Sequence, residues 1–392
     1  MNPHLPPLCC CAVLLASACT TTGGDGSGSG GSSNSSSSSG TGAGSSGTAA
    51  SGSSGGSTDG GGPTDAGAVD AGAEQSLVLG HVVTPAGGFG VFDAVVDVNY
   101  SDDAGVPVHR QARTRWDGQF QLRGLPVGTY TFAATRGHHA GQASITVATP
   151  SQQITDATIQ LSASGAKFVV VTGAWDRIED IIGASGLGFD PVMVSGDNGF
   201  GQPADWLTPV ADAAYLADVA AVFLNCGLDD DIFSRADLVQ RLDTLRAYVA
   251  AGGSLYISDQ AYDVAEALYP DAVEFYGNDA NPNAAQEGDA EEVAATIVDR
   301  TLEKIVGHTV TISYDLSSWA VMESVPAPVD GGPVAETLVT GTVHAYGTTL
   351  PDVPLAVQIT AGNGRVIYTT FHNEAQLDPG VRAILQFMVL SL

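Results

Sequence analysis

The sequence predicts a multi-domain chain, with a small β-sandwich followed by an α/β domain on a mostly parallel sheet. Three changes of pattern carry that reading. Residues 20–75 are almost wholly Gly, Ser, Thr, Ala and Asp. From Ser76 to about Ser162, apolar and polar residues alternate in short runs between turn signals, the period of half-buried strands. From Ala166 onward, unbroken apolar runs alternate with stretches of helical period, as strands buried on both faces of a parallel sheet require.

Residues 1–19 come first. Leu5 to Ala18 is apolar but too short to span a bilayer, and it ends Leu14-Leu15-Ala16-Ser17-Ala18-Cys19. Small residues before a cleavage point mark an export leader. Small residues followed at once by Cys resemble the lipobox of bacterial lipoproteins, which implies lipid attachment at Cys19; an ordinary signal peptide cleaved after Ala18 is the alternative. Residues 20–75 hold no aromatic residue and nothing apolar larger than Val69, too little to offset the entropy of ordering. Such a chain reaches about 40 Å on average. A stalk of this kind fits a front end pinned to a surface, so the expected location is the outer membrane or cell surface, with the membrane as partner through the lipid.

The 392 residues leave room for about two domains beyond the stalk. Lys plus Arg total 14 against 43 Asp plus Glu, for a net charge of −29. That sign excludes a general nucleic-acid role, which needs cationic side chains to displace counterions. Beyond Cys9, Cys10, Cys11 and Cys19 there is only Cys226. Once the leader is gone, no pair is left for a disulfide within the chain, so the domains must rely on their cores.

In the sandwich, residues 76–162, strands are expected at Ser76–Thr84, Ala94–Tyr100, Val106–Trp116, Gln119–Arg123, Gly128–Ala134, Ala143–Ala148 and Ile154–Leu161. Asp117-Gly118 is a hairpin signal, because Gly accepts the positive φ of the turn. Phe120 with Leu122, and Tyr130 with Phe132, recur at period two and should face inward. The run from Trp116 through Gly118, Phe120, Leu122, Gly124, Pro126 and Gly128 to Tyr130 resembles the signature of carboxypeptidase-regulatory-like domains. That resemblance implies a transthyretin-like sandwich and, in function, a spacer or a carbohydrate-binding-like module. Arg110, Arg113, Arg115 and Arg123, with His109, gather cationic charge on this module. Arg113 and Arg115 share a strand face with His109, either as a solvated face or as a patch for an anionic glycan or the acidic second module.

In the second domain, residues 166–392, Lys167–Thr172 is the first strand. Asp176 is placed to cap a helix whose Ile178, Ile181 and Ile182 face the sheet. Strands follow at Pro191–Ser195, Val219–Leu224 and Ser254–Ile257, with a helix capped by Ser234 running to Ala250. Later strands are Thr309–Tyr314, Ala356–Thr360 and Gly364–Phe371, before a closing helix from Pro379. The stretch Val273–Glu303 reads as an insertion.

Gly252-Gly253-Ser254-Leu255-Tyr256-Ile257-Ser258-Asp259-Gln260 resembles the strand, sharp turn and helix of class I glutamine-amidotransferase-like domains. Phe371-His372-Asn373-Glu374 resembles that superfamily's Phe-His-Pro-Glu segment. The resemblance implies a flavodoxin-like, three-layer fold, with Ser258 in the nucleophile's place, His372 and Glu374 as base and orienting acid, and Gly227 as an oxyanion donor. A nucleophile elbow needs small residues two places on either side, and here Tyr256 and Gln260 stand there, with the acidic Asp259 adjoining. The expectation is therefore a binding or structural envelope protein that keeps the fold and a cleft without the chemistry. The alternative is a serine hydrolase acting on an amide or ester.

No cofactor or metal site is expected. Asp279, Asn281 and Asn283 mimic the start of a calcium loop, but Pro282, Ala284 and Ala290 break its pattern. Cys226, after an apolar strand, reads as a buried small hydrophobe before a reactive thiol. His138-His139 between glycines reads as an exposed turn.

Overall fold

The computed structural model describes residues 75–85, 89–137, 139–162, 167–186, 191–197, 205–228, 233–277, 285–373 and 379–392. These all belong to one compact unit, Pro63–Leu392. The leader, Cys19, nearly all of the stalk, His138, the acidic loop with Asp279, Asn281 and Asn283, and Glu374 lie outside the described residues.

Seven strands form the first module: β1 (Leu77–Val83), β2 (Val95–Ser101), β3 (Pro107–Arg113), β4 (Gln119–Arg123), β5 (Gly128–Arg136), β6 (His139–Val147) and β7 (Gln153–Gln160). They make two sheets, ordered β4-β1-β7 and β3-β2-β5-β6. Along β5, alternate residues are buried and exposed. The inward set includes Phe120, Leu122, Tyr130 and Phe132 in one core, as the period-two pattern predicts. The sixth strand starts at His139 rather than Ala143. His139 is buried, edge-on to Phe168 at 5.8 Å, and so is not part of an exposed turn.

The second module holds β8 (Lys167–Thr172), β9 (Val192–Ser195), β10 (Val219–Leu224), β11 (Ser254–Ser258), β12 (Glu274–Phe275), β13 (Glu287–Gly288), β14 (Glu291–Ile297), β15 (Thr309–Tyr314), β16 (Trp319–Ala320), β17 (Met322–Ser324), β18 (Val334–Ala345), β19 (Thr348–Ala361) and β20 (Gly364–Thr369). Its helices are α1 (Ile178–Ala184), α2 (Leu207–Val210), α3 (Ala213–Leu216), α4 (Leu238–Ala251), α5 (Tyr262–Leu268), α6 (Arg300–Val306) and α7 (Pro379–Ser391). Nine strands form one sheet in the order β15-β14-β18-β19-β20-β11-β10-β8-β9. The five from β20 to β9 are parallel. The other four pair antiparallel.

The sheet is thus mixed rather than mostly parallel. The Val273–Glu303 stretch joins it through β14 instead of standing apart as an insertion. Successive residues of β8 face opposite sides: Phe168 and Val170 pack with Ile178, Ile181 and Ile182 of α1 and with α7. Val169 and Val171 pack with Leu242, Leu245 and Val249 of α4. Helices therefore cover both faces. The sandwich meets this module through Phe92, stacked on Phe387 at 4.4 Å, with the Arg136 guanidinium 4.6 Å from the Phe92 ring.

The expected caps shift. Helix α1 begins after Arg177 and α4 after Asp237, neither with a side-chain cap, so Asp176 and Ser234 do not play that role. A cap the expectations missed is Asp299, whose carboxylate accepts from the N–H groups of Thr301 (2.9 Å) and Leu302 (2.7 Å) at the start of α6. Asp299→Ala should cost about 1 kcal/mol of stability, read as a small drop in the urea midpoint.

Candidate functional site

Strands β8, β10, β11 and β20 run parallel, so their carboxyl ends open on one edge of the sheet, where ligands of open α/β sheets bind. Asp176 follows β8, Asn225 and Cys226 follow β10, Ser258 ends β11 with Asp259 directly after it, and His372 and Asn373 follow β20.

Ser258 is fully buried. Its Oγ donates to Asp176 Oδ2 at 2.6 Å and accepts from the Cys226 N–H at 2.9 Å. Asp176, also buried, accepts through Oδ1 from the N–H groups of Arg177 (2.6 Å) and Asn373 (3.0 Å). Asn225 Nδ2 donates to the Asp176 carbonyl at 3.0 Å. Asp176 therefore ties together the loops after β8, β10, β11 and β20, through its carboxylate and its backbone carbonyl.

The residue that turns to His372 is Asp259. Its φ is +45°, a left-handed conformation that Asp tolerates better than most side chains, and it opens the short turn Asp259–Ala261 leading into α5. His372 Nε2 lies 3.4 Å from Asp259 Oδ2, and the Cys226 thiol lies 3.5 Å from the same oxygen. The Ala320 N–H donates to Asp259 Oδ1 at 3.0 Å, and Tyr368 Oη donates to the Asp259 carbonyl at 3.0 Å. Burial pushes the Asp259 carboxyl up, against the lowering effect of its contact with His372. Burial, reinforced by the Asp259 charge, pushes the Cys226 thiol far up.

Of the expected triad, His372 stands at the site, but Ser258 does not meet it. The strained turn falls one residue later than the motif suggested, which aims Ser258 away from the cleft and Asp259 toward it. Gly227 has φ +83°, and its carbonyl accepts from the Ala174 N–H at 3.1 Å. The neighbouring N–H that reaches the serine is that of Cys226. Cys226 is buried, as expected of a small hydrophobe, yet it also lines the cleft.

That cleft has a volume of about 220 Å³. Its floor is Cys226, Asp259 and His372. Among its walls are Glu287 and Asp315, the exposed ring of Trp175, and the Tyr314–Trp319 pair stacked at 3.9 Å. None of its lining residues is Lys or Arg. Sequence reasoning missed Asp176, Asp259 and the aromatic wall. The one available signal was an Asp, an αL-tolerant residue, directly after a buried strand.

On the sandwich, Arg113 pairs with Asp93 at 2.9 Å and His109 with Asp97 at 2.6 Å. Arg123 belongs to β4 of the other sheet, so the expected cationic cluster is divided.

No family model matches this chain, and no curated protein does. Among solved structures, the chain is similar to a cytoplasmic protein of Salmonella typhimurium LT2 (12% identity, 68% of this chain and 95% of that one, TM-score 0.35). It is also similar to PurLQS of Thermotoga maritima (11% identity, 58% and 97%, TM-score 0.36) and to an (S)-allantoin synthase (13% identity, 22% and 40%, TM-score 0.19). The match thus spans less than half of the synthase. Likenesses of this size carry no functional argument.

Proposed function

We propose that this is a cell-envelope lipoprotein, anchored through Cys19, with a binding role rather than a serine-hydrolase activity. In this reading residues 76–162 are a transthyretin-like spacer or carbohydrate-binding-like module, supported by their two facing sheets. Residues 166–392 are a flavodoxin-like, amidotransferase-like domain, supported by the parallel strand order β9-β8-β10-β11-β20 with helices on both faces. The pairing of Arg113 with Asp93 favours the spacer over an anion-binding patch. Among the described residues, no helix is long and apolar enough to cross a membrane.

The observation that carries the reading is the state of Ser258. Its hydroxyl is sealed between Asp176 and the Cys226 N–H, so His372 has no serine proton to take. The cleft remains, with the carboxylates of Asp259, Glu287 and Asp315, three aromatic rings and, among the described residues, no Lys or Arg in its lining. Such a lining suits a small cationic ligand, held by charge and by ring faces.

Two measurements on the full chain test this. A serine-reactive fluorophosphonate should leave no adduct by intact mass. A stoichiometric adduct lost in both Ser258→Ala and His372→Ala would overturn the reading. Tetramethylammonium should change tryptophan fluorescence saturably, with the change lost in Trp175→Phe. A flat titration would count against the cleft as a cation site.

A further inference from the structure

Three side chains on the cleft floor come from three different strand ends and bring together a thiol, a carboxylate and an imidazole. Their ligating atoms, Cys226 Sγ, an Asp259 carboxylate oxygen and a His372 ring nitrogen, lie within 4.8 Å of one another. Two of the three separations, those that meet at Asp259, match a coordination sphere. With Zn–S near 2.3 Å and Zn–N or Zn–O near 2.0–2.1 Å, tetrahedral edges come to about 3.5 Å for sulfur to oxygen and about 3.4 Å for nitrogen to oxygen. The observed edges are 3.5 Å from Cys226 Sγ to Asp259 Oδ2 and 3.4 Å from His372 Nε2 to the same oxygen. We infer that Cys226, Asp259 and His372 form a binding site for a thiophilic divalent metal ion of the zinc class. This rests on the reading of the cleft as a cation-binding site and names the cation.

The surroundings hold each donor in place, as metal sites require of their supporting residues. The Ala320 N–H occupies Asp259 Oδ1 and leaves Oδ2 for the ion. Ser258 accepts from the Cys226 N–H and donates to Asp176, bracing the loop that carries the thiol. Asp176 also accepts from the Asn373 N–H, bracing the loop that carries His372. The buried serine thus gains a purpose as a positioning residue. All three donors line the cleft, so three protein ligands leave a fourth position facing its interior, the arrangement of zinc sites that stay open to water or ligand. A thiolate with an imidazole selects zinc-class ions over magnesium or calcium, which prefer oxygen.

The test uses the full chain carrying Cys9→Ser, Cys10→Ser, Cys11→Ser and Cys19→Ser, so that Cys226 is the only thiol. Stripped with a chelator, this protein is titrated with Co²⁺ and then with Zn²⁺. One cobalt per chain is expected, with a thiolate-to-cobalt charge-transfer band and the visible bands of tetrahedral cobalt, all displaced by zinc. Cys226→Ser should abolish the charge-transfer band. Asp259→Asn and His372→Gln should weaken binding by about tenfold or more. Asn also tolerates the positive φ at position 259, so that variant should stay folded, as far-UV circular dichroism of each metal-free variant will check. Cobalt bound without the charge-transfer band, or a band unchanged in Asp259→Asn and His372→Gln, would overturn the assignment. A tryptophan response to tetramethylammonium with no cobalt band would keep the cleft as a cation site and remove the metal. No response to either cation would remove both.

Discussion

Asp176→Ala lowers the unfolding free energy by about 4 kcal/mol, one of the two largest effects expected of a single substitution near the site. The wild-type carboxylate is buried and accepts three hydrogen bonds, from the Ser258 hydroxyl and the N–H groups of Arg177 and Asn373. A methyl group leaves these donors without their acceptor, and each buried, unsatisfied polar group costs about 1–3 kcal/mol. Asp176→Asn keeps the shape and one acceptor oxygen. With that oxygen accepting from the two N–H groups, the amide nitrogen faces Ser258 and cannot accept from its hydroxyl, so about half the loss should remain. Urea unfolding followed by tryptophan fluorescence reports this directly, since Trp175, Trp206 and Trp319 all lie in the α/β module. The variant also separates two views of Ser258. If Asp176 merely masked a latent nucleophile, its removal would switch on fluorophosphonate labelling. We expect none, because Ser258 is fully buried and the imidazole stands against Asp259.

How much of this was legible in the sequence varies from residue to residue. The run Lys167–Thr172 gave its strand to the residue, because a strand buried on both faces reads as one apolar block. Asp117-Gly118 announced a turn, and Gly118 has φ +79° there, but β3 and β4 on either side of it belong to different sheets, so it closes no hairpin. The long pair β18 and β19 went largely unread, since Thr337, Thr340, Thr342 and His344 dilute the apolar pattern on β18. Asp176 had the local signature of a helix cap. Its acceptor role depends on Ser258 and Asn373, which lie 82 and 197 residues away in sequence, and no local pattern encodes that distance.

The slip from Ser258 to Asp259 has a physical basis as well. Along a strand one step reverses the direction of a side chain, so placing the sharp turn one residue early exchanges the cleft for the interior. His372 and Cys226 were legible as residues at strand ends. That they meet over Asp259 could be seen only once the order of β20, β11 and β10 in the sheet was known.

That meeting depends on a backbone contact, which makes Gly173→Ala the second large effect. Beyond β8, the chain runs against the loop after β10, with the Ala174 N–H donating to the Gly227 carbonyl at 3.1 Å and the Trp175 N–H to the Cys226 carbonyl at 3.2 Å. A Cβ on Gly173 would lie 2.0 Å from the Cys226 carbonyl oxygen and 2.9 Å from that of Asn225. These are backbone atoms and cannot rotate aside, so the two loops must part. Overpacking of this kind costs about 1–3 kcal/mol. The parted loops would also strain the two hydrogen bonds between them, at about 1 kcal/mol each, for a total of about 3–5 kcal/mol. Moving the Cys226 carbonyl moves its thiol, so the cobalt charge-transfer band should weaken as well. The comparison that isolates the effect is Gly183→Ala, in helix α1, where an added Cβ meets nothing within 4 Å. There alanine should raise stability by about 0.5–1 kcal/mol through helix propensity and leave the cobalt spectrum unchanged. Equal urea midpoints for the two variants would mean that the loops after β8 and β10 are not held at the separation described, and the geometry of the cleft floor would need revision.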